Sequence, residues 1–552
     1  MTATPDLLPG LTIGAALVAI TALADAGSGR LRLPHSILLV IVGVAISLIP
    51  GVPTVSIDPD VVLLLMLPPL LYSAGVGMSW RGFRDNLRPI LLLAIGCVLF
   101  TAVVVAAVAH YLFGMSWAVG LVLGAVVSPP DAIAPMAIAR RLNMPERLLT
   151  ILEGEGLVND ATALILFSFA VAAVVAGGVS VTAALGSFAM IVGGELVWGL
   201  AIGWAMLRVR RWARNPQAEI MLALLTPYFA FWLPHALGGS GVLAAVAAGL
   251  YTSWTGPRLI APATRLQGYF VWGLTTHGIE GILFLLTGMQ AHTVIAGLAG
   301  GGWVRLAEAG VVISLLVIVV RFIWVFPATY LPRVLFASIR RREPHPPWGY
   351  PFVVGFTGIR GVVSLAAALS IPVTVGGAPF QERGLILFVT FCVIIVTLVG
   401  QGSLLPWVII RLGLNNAGEK EAADAKAREV QARIAGVEAV LAELDNCERL
   451  GAPSGAVASL RQRHETRLAE YRGTADDTID GSPVAEDANV QARLINAERR
   501  AVAGAYARDA ITDDARRRIE RELDLEDARN RHALESATGD RMADPESETE
   551  SG

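Results

Sequence analysis

The sequence predicts an all-α membrane protein with about thirteen transmembrane helices and a helical tail. Its 552 residues are 54% hydrophobic and only 16% charged, and the mean hydropathy is +0.59. Soluble domains of this length do not have such a composition. One apolar segment follows another as far as Leu412, whereas the chain from Gly418 onward is rich in Ala, Glu, Asp and Arg. The sequence therefore divides into a membrane part and a charged tail.

Thirteen segments are candidate spans, because a transmembrane helix needs about 20 apolar residues and fewer inside a bundle. They are approximately Leu11–Ala26, Ser36–Ile49, Val61–Ala74, Ile90–Phe113, Trp117–Ala139, Leu148–Ala176, Phe188–Leu207, Glu219–His235, Gly241–Trp254, Tyr269–Met289, Ala309–Leu331, Phe352–Val373 and Gly384–Leu412. No basic residue precedes Arg30, so the first segment is interpreted as a retained span and not as a signal peptide. The eighth and ninth are short and could merge into one.

The connecting loops predict the orientation. Arginines concentrate in alternate loops, for example at residues 81–88, 140–147 and 333–342, whereas the intervening loops contain only Arg305 and Arg383. Cytoplasmic loops carry the excess of basic residues. The N-terminus is therefore predicted outside and the tail in the cytoplasm, in a multi-pass protein of the plasma (inner) membrane. Merging the eighth and ninth spans would break this alternation.

Two spans contain helix-breaking residues at matching positions. The fifth contains Ser128-Pro129-Pro130-Asp131, and the twelfth contains three glycines around Arg360. Prolines remove backbone donors, and glycines weaken a helix. An odd number of spans suggests two six-span halves joined by a linker helix, with residues 117–176 corresponding to 352–412. Interrupted helices in both halves indicate a transport site where the halves meet.

The sixth span carries the most informative ionisable group. Glu155 and Asn159 are one turn apart on one face, and Asp160 lies beside them. A buried carboxylate can hold a hard cation such as Na⁺ or a proton, but not both, and this competition suffices for antiport. Asn159 adds no second charge, which favours electroneutral exchange. The alternative is that Glu155 and Asp160 are merely solvated near a helix end.

Other acids in the membrane part are open to more than one interpretation. Asp131 could cap the helix after the proline break or line the ion path, and Ser128 could add a hydroxyl ligand. Glu195 and Glu280 could face an aqueous cavity or a subunit interface. Glu153 lies closer to the cytoplasmic loop and could equally be functional or structural.

Two arginines lie at membrane depth, Arg321 in the eleventh span and Arg360 in the twelfth. A buried guanidinium must be neutralised by a carboxylate or by several carbonyls. Arg321 is therefore expected to pair with Glu155 or Asn159. Arg360 is expected to neutralise carbonyls at the second broken helix, with an interfacial position as the alternative.

The motifs resemble a known family. Glu155-Gly156-Leu157-Val158-Asn159-Asp160-Ala161 resembles the Glu-Ser-Leu-Leu-Asn-Asp-Ala signature of the monovalent cation/proton antiporter-1 family, the electroneutral sodium/proton exchangers. The runs 67–75, 128–134 and 358–364 also look like those of bacterial members. The resemblance covers residues 7–412. Gly156 stands where the signature has serine.

The resemblance implies thirteen spans in two inverted six-helix repeats with crossed discontinuous helices. It also implies a homodimer whose six-helix core moves against a dimerisation domain. Asp160 would bind the cation or the proton, Glu155 and Asn159 would support it, and Arg321 would be their partner. Asp131 and Arg360 would lie in the two unwound crossovers. Pro130 stands where many members have Thr before the aspartate. Glu280 stands where close bacterial relatives often have Asn.

The predicted domains are the transmembrane exchanger domain at residues 1–412, a helical tail at 413–541 and a disordered C-terminus at 542–552. Tail helices are expected at Glu419–Glu448, Val457–Tyr471, Val490–Ala507 and Asp513–Leu534, separated in part by the turn Asp480-Gly481-Ser482-Pro483. No nucleotide or metal motif is present in the tail sequence. The tail is expected to be regulatory, but its sequence predicts neither a ligand nor a partner.

The function predicted is secondary antiport of Na⁺, with Li⁺ or K⁺ as alternatives, for H⁺. No cofactor, no metal beyond the cation at Asp160 and no nucleic acid are expected, and the partners are membrane lipid and a second copy of the chain. The alternatives are a K⁺/H⁺ antiporter regulated by its tail, an ion channel or uniporter, and an ion sensor. An intramembrane enzyme is disfavoured, since no His-Glu-x-x-His run is present.

Overall fold

The computed structural model describes residues 7–31, 34–50, 59–176, 181–213, 215–296, 303–343, 345–375, 378–380, 382–451, 453–475, 483–508 and 513–538. The chain forms two compact units, residues 1–419 and 420–552. Both units are built almost entirely from helices, as the composition predicts. The described strands are one antiparallel pair, β1 (Thr374–Val375) and β2 (Ala378–Pro379), with Thr374 opposite Pro379.

Apolar runs form most helices of the first unit, whereas two of them, Trp80–Asp85 and Ala337–Arg342, are short and rich in arginine. The helices of this unit are α1 (Leu7–Leu31), α2 (His35–Ser47), α3 (Leu67–Gly77), α4 (Trp80–Asp85), α5 (Leu87–Leu91), α6 (Val98–Phe113), α7 (Trp117–Val127), α8 (Ile133–Arg141), α9 (Glu146–Ala176), α10 (Val181–Arg210), α11 (Pro216–Ala236), α12 (Val242–Leu259), α13 (Pro262–Ala296), α14 (Trp303–Leu335), α15 (Ala337–Arg342), α16 (Gly349–Phe356), α17 (Val362–Leu369), α18 (Arg383–Ile395) and α19 (Gly402–Arg411). Three π-helical turns extend them, at Val61–Met66 before α3, Leu92–Cys97 between α5 and α6, and Val396–Gln401 between α18 and α19.

Six helices within the described ranges are long and apolar enough to cross a membrane. They are Leu87–Phe113, Glu146–Ala176, Gly186–Arg210, Pro262–Val294, Trp303–Leu335 and Arg383–Arg411. The other seven predicted spans correspond to helices that are shorter, broken or more polar. The count of thirteen therefore stays a prediction, while the multi-pass helical architecture is present.

Both predicted helix breaks are present. The fifth predicted span consists of α7 and α8, separated by residues 128–132, and the twelfth consists of α16 and α17, separated by residues 357–361. In the first break two consecutive prolines, Pro129 and Pro130, cannot donate the next helical hydrogen bonds. In the second break Gly361 precedes α17 in an extended conformation. Each break exposes carbonyl groups that the neighbouring residues must satisfy.

The eighth and ninth predicted spans remain two helices, α11 and α12. Gly238 and Gly241 lie between them with φ values of +86° and +70°, which a side chain would disfavour. Glu195 of α10 then accepts hydrogen bonds from the backbone N–H groups of Ser240, Gly241 and Leu243 at 2.7, 2.9 and 3.0 Å. This buried carboxylate thus caps the beginning of α12 and fixes the turn.

Small residues allow close packing of the first unit. Gly43 of α2 faces Gly288 of α13, and Gly75 of α3 faces Gly249 of α12, so the backbones touch. Around the broken helices the core is formed by buried aliphatic side chains of α6, α7, α14, α17 and α18. Backbone contact through small residues is a usual way to hold helices together where lipid removes the hydrophobic driving force.

The second unit contains most of α20 (Leu414–Arg449), followed by α21 (Ser454–Ala475), α22 (Pro483–Ala507) and α23 (Asp513–Thr538). Ile434 and Val437 of α20 are buried against Leu468 of α21, as an apolar face at helical spacing predicts. Val440, further along α20, is exposed. The predicted disordered segment 542–552 and residues 480–482 of the predicted turn lie outside the described residues.

Candidate functional site

The two helix breaks contact each other directly. The backbone N–H of Asp131 in the first break donates to the carbonyl of Ile359 in the second, at 2.6 Å. Helix α7 also packs against α17. The discontinuous helices therefore meet, and residues 128–132 and 357–361 define what is called here the junction.

Arg360 satisfies carbonyls on both sides of the junction. Its Nε donates to Val127 O at 3.0 Å, its Nη2 donates to Ser128 O at 3.3 Å, and its Nη1 donates to Gly358 O. The prediction assigned Arg360 to the second break alone, and this was too narrow. The side chain is 1% exposed, which excludes the alternative of an interfacial arginine. Its charge compensates the carbonyl ends of α7.

Asp160 of α9 is only partly buried. Among the described residues, no side chain or backbone group donates a hydrogen bond to its carboxylate. The charge of Asp131 acts on it, and because it has the same sign it repels the Asp160 carboxylate. A carboxylate in this position has only water, a proton or a cation as stabilising partner.

Two further oxygens at the junction are buried without a hydrogen-bond partner, Asp131 Oδ2 and Asn159 Oδ1. Asp131 Oδ1 accepts from the N–H of Ile133, the first residue of α8, at 3.0 Å, while Ala132 is the N-cap residue of this helix. The Asn159 amide donates through Nδ2 to Pro130 O at 2.5 Å, so its carbonyl oxygen is the free end. Oxygen atoms without donors are the ligands that hard monovalent cations accept.

Glu155 and Arg321 form a buried, two-pronged ion pair. Arg321 Nη1 lies 2.5 Å from Glu155 Oε1 and Nη2 lies 2.8 Å from Oε2, and the side chains are 1% and 2% exposed. Arg321 Nε also donates to Val354 O of α16 at 3.0 Å. The pair therefore ties α9 and α14 to the helix that leads into the second break. The guanidinium of Arg321 engages both carboxylate oxygens of Glu155. Glu155 therefore helps to fix α9 in position through this ion pair.

The other predicted groups separate into those near the junction and those elsewhere. Ser128 donates its hydroxyl proton to Ala125 O at 3.2 Å, within its own helix turn. Glu153, whose side chain is 22% exposed, pairs with the 60% exposed Arg140 at 3.2 Å. Glu195 caps α12 and lies away from the junction. Glu280 of α13, by contrast, interacts electrostatically with Asp131, so a third carboxylate contributes to the charge around the junction.

Gly156 permits close contact between α9 and the first break. A Cβ atom at this position would collide with the Cβ of Ala132. Serine, which the family signature carries here, therefore cannot be accommodated unless Ala132 moves. The absence of the serine hydroxyl at Gly156 therefore goes together with the methyl group of Ala132 in the first break. The sequence motif alone does not reveal this relation.

Asp25, His35 and His277 are the one group in the described ranges that combines three metal-type ligands at short range. Their ligand atoms lie within 4.8 Å of one another, and both histidines approach Asp25 at 3.4 Å. Asp25 and His277 are exposed. The arrangement equally suits histidine–carboxylate contacts without an ion.

The charges at the junction nearly cancel. Glu155 and Arg321 neutralise each other, and Arg360 offsets one of the two aspartates, Asp131 and Asp160. With these five groups ionised, one negative charge is left, and Glu280, which interacts electrostatically with Asp131, adds a second when it is ionised. One proton or one monovalent cation is therefore enough to neutralise these five side chains.

Comparison with known proteins gives a consistent picture. Residues 15–411 match the family described as sodium/hydrogen exchanger, transmembrane. An uncharacterized Na⁺/H⁺ exchanger of Mycobacterium tuberculosis is 36% identical over 531 residues, which cover 94% of this chain and 96% of that protein. A sodium, potassium, lithium and rubidium/H⁺ antiporter of Bacillus pumilus is 32% identical over 390 residues, which cover 68% of this chain and 57% of that protein.

The fold also has a counterpart among solved structures. The structure of the sodium proton antiporter MjNhaP1 from Methanocaldococcus jannaschii superposes with a TM-score of 0.55. The match covers 74% of this chain and 99% of the other, at 17% sequence identity. At this identity the likeness concerns the fold alone.

Proposed function

The chain belongs to the family of transmembrane sodium/hydrogen exchangers, and from this premise we propose that it exchanges a monovalent cation for a proton. The observation that carries the proposal is the state of Asp160. Its carboxylate is partly exposed and receives no hydrogen bond from the described residues, although it lies beside a second carboxylate. Such a group is stabilised by binding either a proton or a cation, and the two compete for the same oxygens.

Asp131 Oδ2 and Asn159 Oδ1 complete the proposed cation site with Asp160. Both oxygens are buried without a donor. Glu155 and Arg321 hold α9 in place and do not themselves exchange the ion, because they satisfy each other. Arg360 holds the junction together through its carbonyl acceptors, and Ser128 could contribute its oxygen as an acceptor.

One-for-one, electroneutral exchange is supported by the charge balance at the junction. With Glu280 counted as neutral, the five groups carry one excess negative charge, so the site is neutral with either one proton or one monovalent cation bound. A neutral loaded site crosses the membrane without work against the membrane potential. Alternating access would follow if the loaded core, which contains the junction, moved relative to the rest of the membrane unit.

The ion transported is proposed to be Na⁺, with Li⁺ and K⁺ as further substrates. The name of the Bacillus pumilus relative lists four alkali cations. The architecture proposed is thirteen spans in two inverted repeats, assembled as a homodimer in the plasma membrane. The positions of the basic loops support an N-terminus outside and a helical tail, residues 413–541, in the cytoplasm, and a regulatory role is proposed for this tail.

The test uses purified full-length protein in liposomes that contain a pH-sensitive dye. Addition of Na⁺, Li⁺ or K⁺ outside should drive protons out and raise the internal pH. Asp160→Asn should abolish this change while the protein remains monodisperse in size-exclusion chromatography. Glu153→Gln is the matched control, because it removes a carboxylate from the same helix at a position paired with an exposed arginine. Normal exchange by Asp160→Asn would refute the assignment.

A second measurement tests the stoichiometry and the channel alternative. The initial rate should not depend on an imposed membrane potential when exchange is one for one. A rate that follows the potential would refute electroneutrality. Entry of radioactive Na⁺ without any movement of protons would identify a channel or uniporter instead of an antiporter.

A further inference from the structure

Three arginines converge on one carboxylate oxygen at the end of the helices that carries the basic loops. Arg88, Arg147 and Arg333 donate to Glu343 Oε2 at 2.7, 3.1 and 2.9 Å. Arg88 and Arg147 repel Arg333 electrostatically. One glutamate offsets one of three positive charges, so the cluster has two positive charges in excess.

Part of this positive charge has no acceptor. Arg88 Nε, Arg88 Nη1 and Arg333 Nε are buried and lack a hydrogen-bond partner. Arg333 is 6% exposed and Arg88 is 27% exposed. Buried guanidinium donors without partners are costly, and an anion with several oxygen atoms would satisfy them together.

A cavity of about 250 Å³ adjoins the three arginines. Its wall is mainly apolar and includes Leu92, Ile151, Val325, Ala328 and Val354. A free phosphate ion would leave these apolar walls without a partner. A molecule with an anionic head and a hydrocarbon chain would use both the charge and the walls.

We propose that this arginine cavity binds the phosphate headgroup of an anionic phospholipid. The phosphate oxygens accept from Arg88 and Arg333, and Arg147 contributes charge at the more exposed side. The first part of an acyl chain lies against the apolar wall. Basic pockets between transmembrane helices at the cytoplasmic side have the chemistry that anionic lipid headgroups require.

The cavity shares its wall with the elements that hold the ion site. Ile151 lies one turn before Glu155 on α9, and Val325 lies one turn after Arg321 on α14. Val354 accepts a hydrogen bond from Arg321 Nε through its carbonyl. A bound lipid therefore braces α9, α14 and α16. Its influence on exchange rests on the proposed function, whereas its binding does not.

Binding is tested with delipidated, full-length protein in a neutral detergent. Mixed micelles with phosphatidylglycerol should raise the melting temperature, and micelles with phosphatidylcholine should not. Arg88→Gln should weaken the apparent affinity for phosphatidylglycerol roughly tenfold or more, since it removes a charged donor. Arg84→Gln is the matched control, because Arg84 lies on the same basic loop with a 64% exposed side chain.

Ala328→Leu provides a variant that keeps every charge and fills the cavity. It should reduce the number of phosphatidylglycerol molecules retained in native mass spectrometry by one. Equal stabilisation by inorganic phosphate would overturn the lipid assignment in favour of a free anion. Equal phosphatidylglycerol affinity of the wild type, Arg88→Gln and Ala328→Leu would overturn the site itself. Neither result depends on ion exchange, so the proposed function is tested separately.

Discussion

The buried pair between Glu155 and Arg321 should be one of the most sensitive points of the membrane unit. Its two contacts are 2.5 and 2.8 Å long, and neither side chain is more than 2% exposed. The natural comparison is the pair between Arg140 and Glu153, which uses the same helix α9. That contact is 3.2 Å long, and its arginine is 60% exposed.

The expected magnitudes differ clearly. Glu155→Gln leaves a buried guanidinium with no counter-charge, and loss of one partner of a buried pair costs about 3–5 kcal/mol. Arg140→Gln removes an exposed pair, which contributes about 0–1 kcal/mol. The double variant Glu155→Gln, Arg321→Gln removes both charges. Its cost should be well below the sum of the two single costs, because no uncompensated charge is left.

The free energy of unfolding can be measured by titration with sodium dodecyl sulfate in mixed micelles, followed by tryptophan fluorescence. The measurement compares the wild type with Glu155→Gln, Arg321→Gln, the double variant and Arg140→Gln. The reasoning is refuted if Glu155→Gln costs no more than Arg140→Gln. It is also refuted if the single costs of Glu155→Gln and Arg321→Gln simply add in the double variant, because the pair would then have no coupling energy.

Two further variants probe the surroundings of Asp160. Gly156→Ser should lower the exchange rate or the melting temperature, because the Cβ of the new side chain collides with Ala132. Adding Ala132→Gly to the same chain should restore the rate or the melting temperature. Failure of this rescue would show that the contact with Ala132 is not the cause. Glu280→Gln removes a negative charge that acts on Asp131. The KM for Na⁺ should therefore rise a few-fold in the liposome assay, with little change in the maximal rate. An unchanged KM would contradict a role of Glu280 in attracting the cation.

The breaks in the fifth and twelfth predicted spans could be located from the sequence because their causes are local. Two prolines in a row remove consecutive donors whatever the surroundings, and the glycines around Arg360 act on their own backbone. The partner of Arg321 was also predictable. A guanidinium at the centre of an apolar helix needs an acid or several free carbonyls, and the membrane sequence offers few acids.

Contacts between distant helices could not be predicted in the same way. Glu195 and Glu280 look alike in the sequence, since each is a single acid in an apolar helix. The structure separates them: Glu195 caps α12, whereas Glu280 interacts electrostatically with Asp131. The difference is set by which helix packs beside each acid. The number of spans is uncertain for a related reason, because helices buried in a bundle can be short or polar and still cross.

The way donors are distributed at the junction explains why one carboxylate remains for the ion. Arg321 is engaged by Glu155 and by Val354 O. Arg360 is engaged by carbonyls of both breaks, and the Asn159 amide by Pro130 O. Each of these donors thus serves a carbonyl freed by the broken helices or the carboxylate of Glu155, and within the described ranges no donor reaches Asp160. Unwinding the helices therefore has two consequences. The freed carbonyls accept hydrogen bonds from the positive and amide groups, and the oxygen atoms of the proposed cation site keep a negative charge. In the proposed exchange, a proton or a cation neutralises this charge.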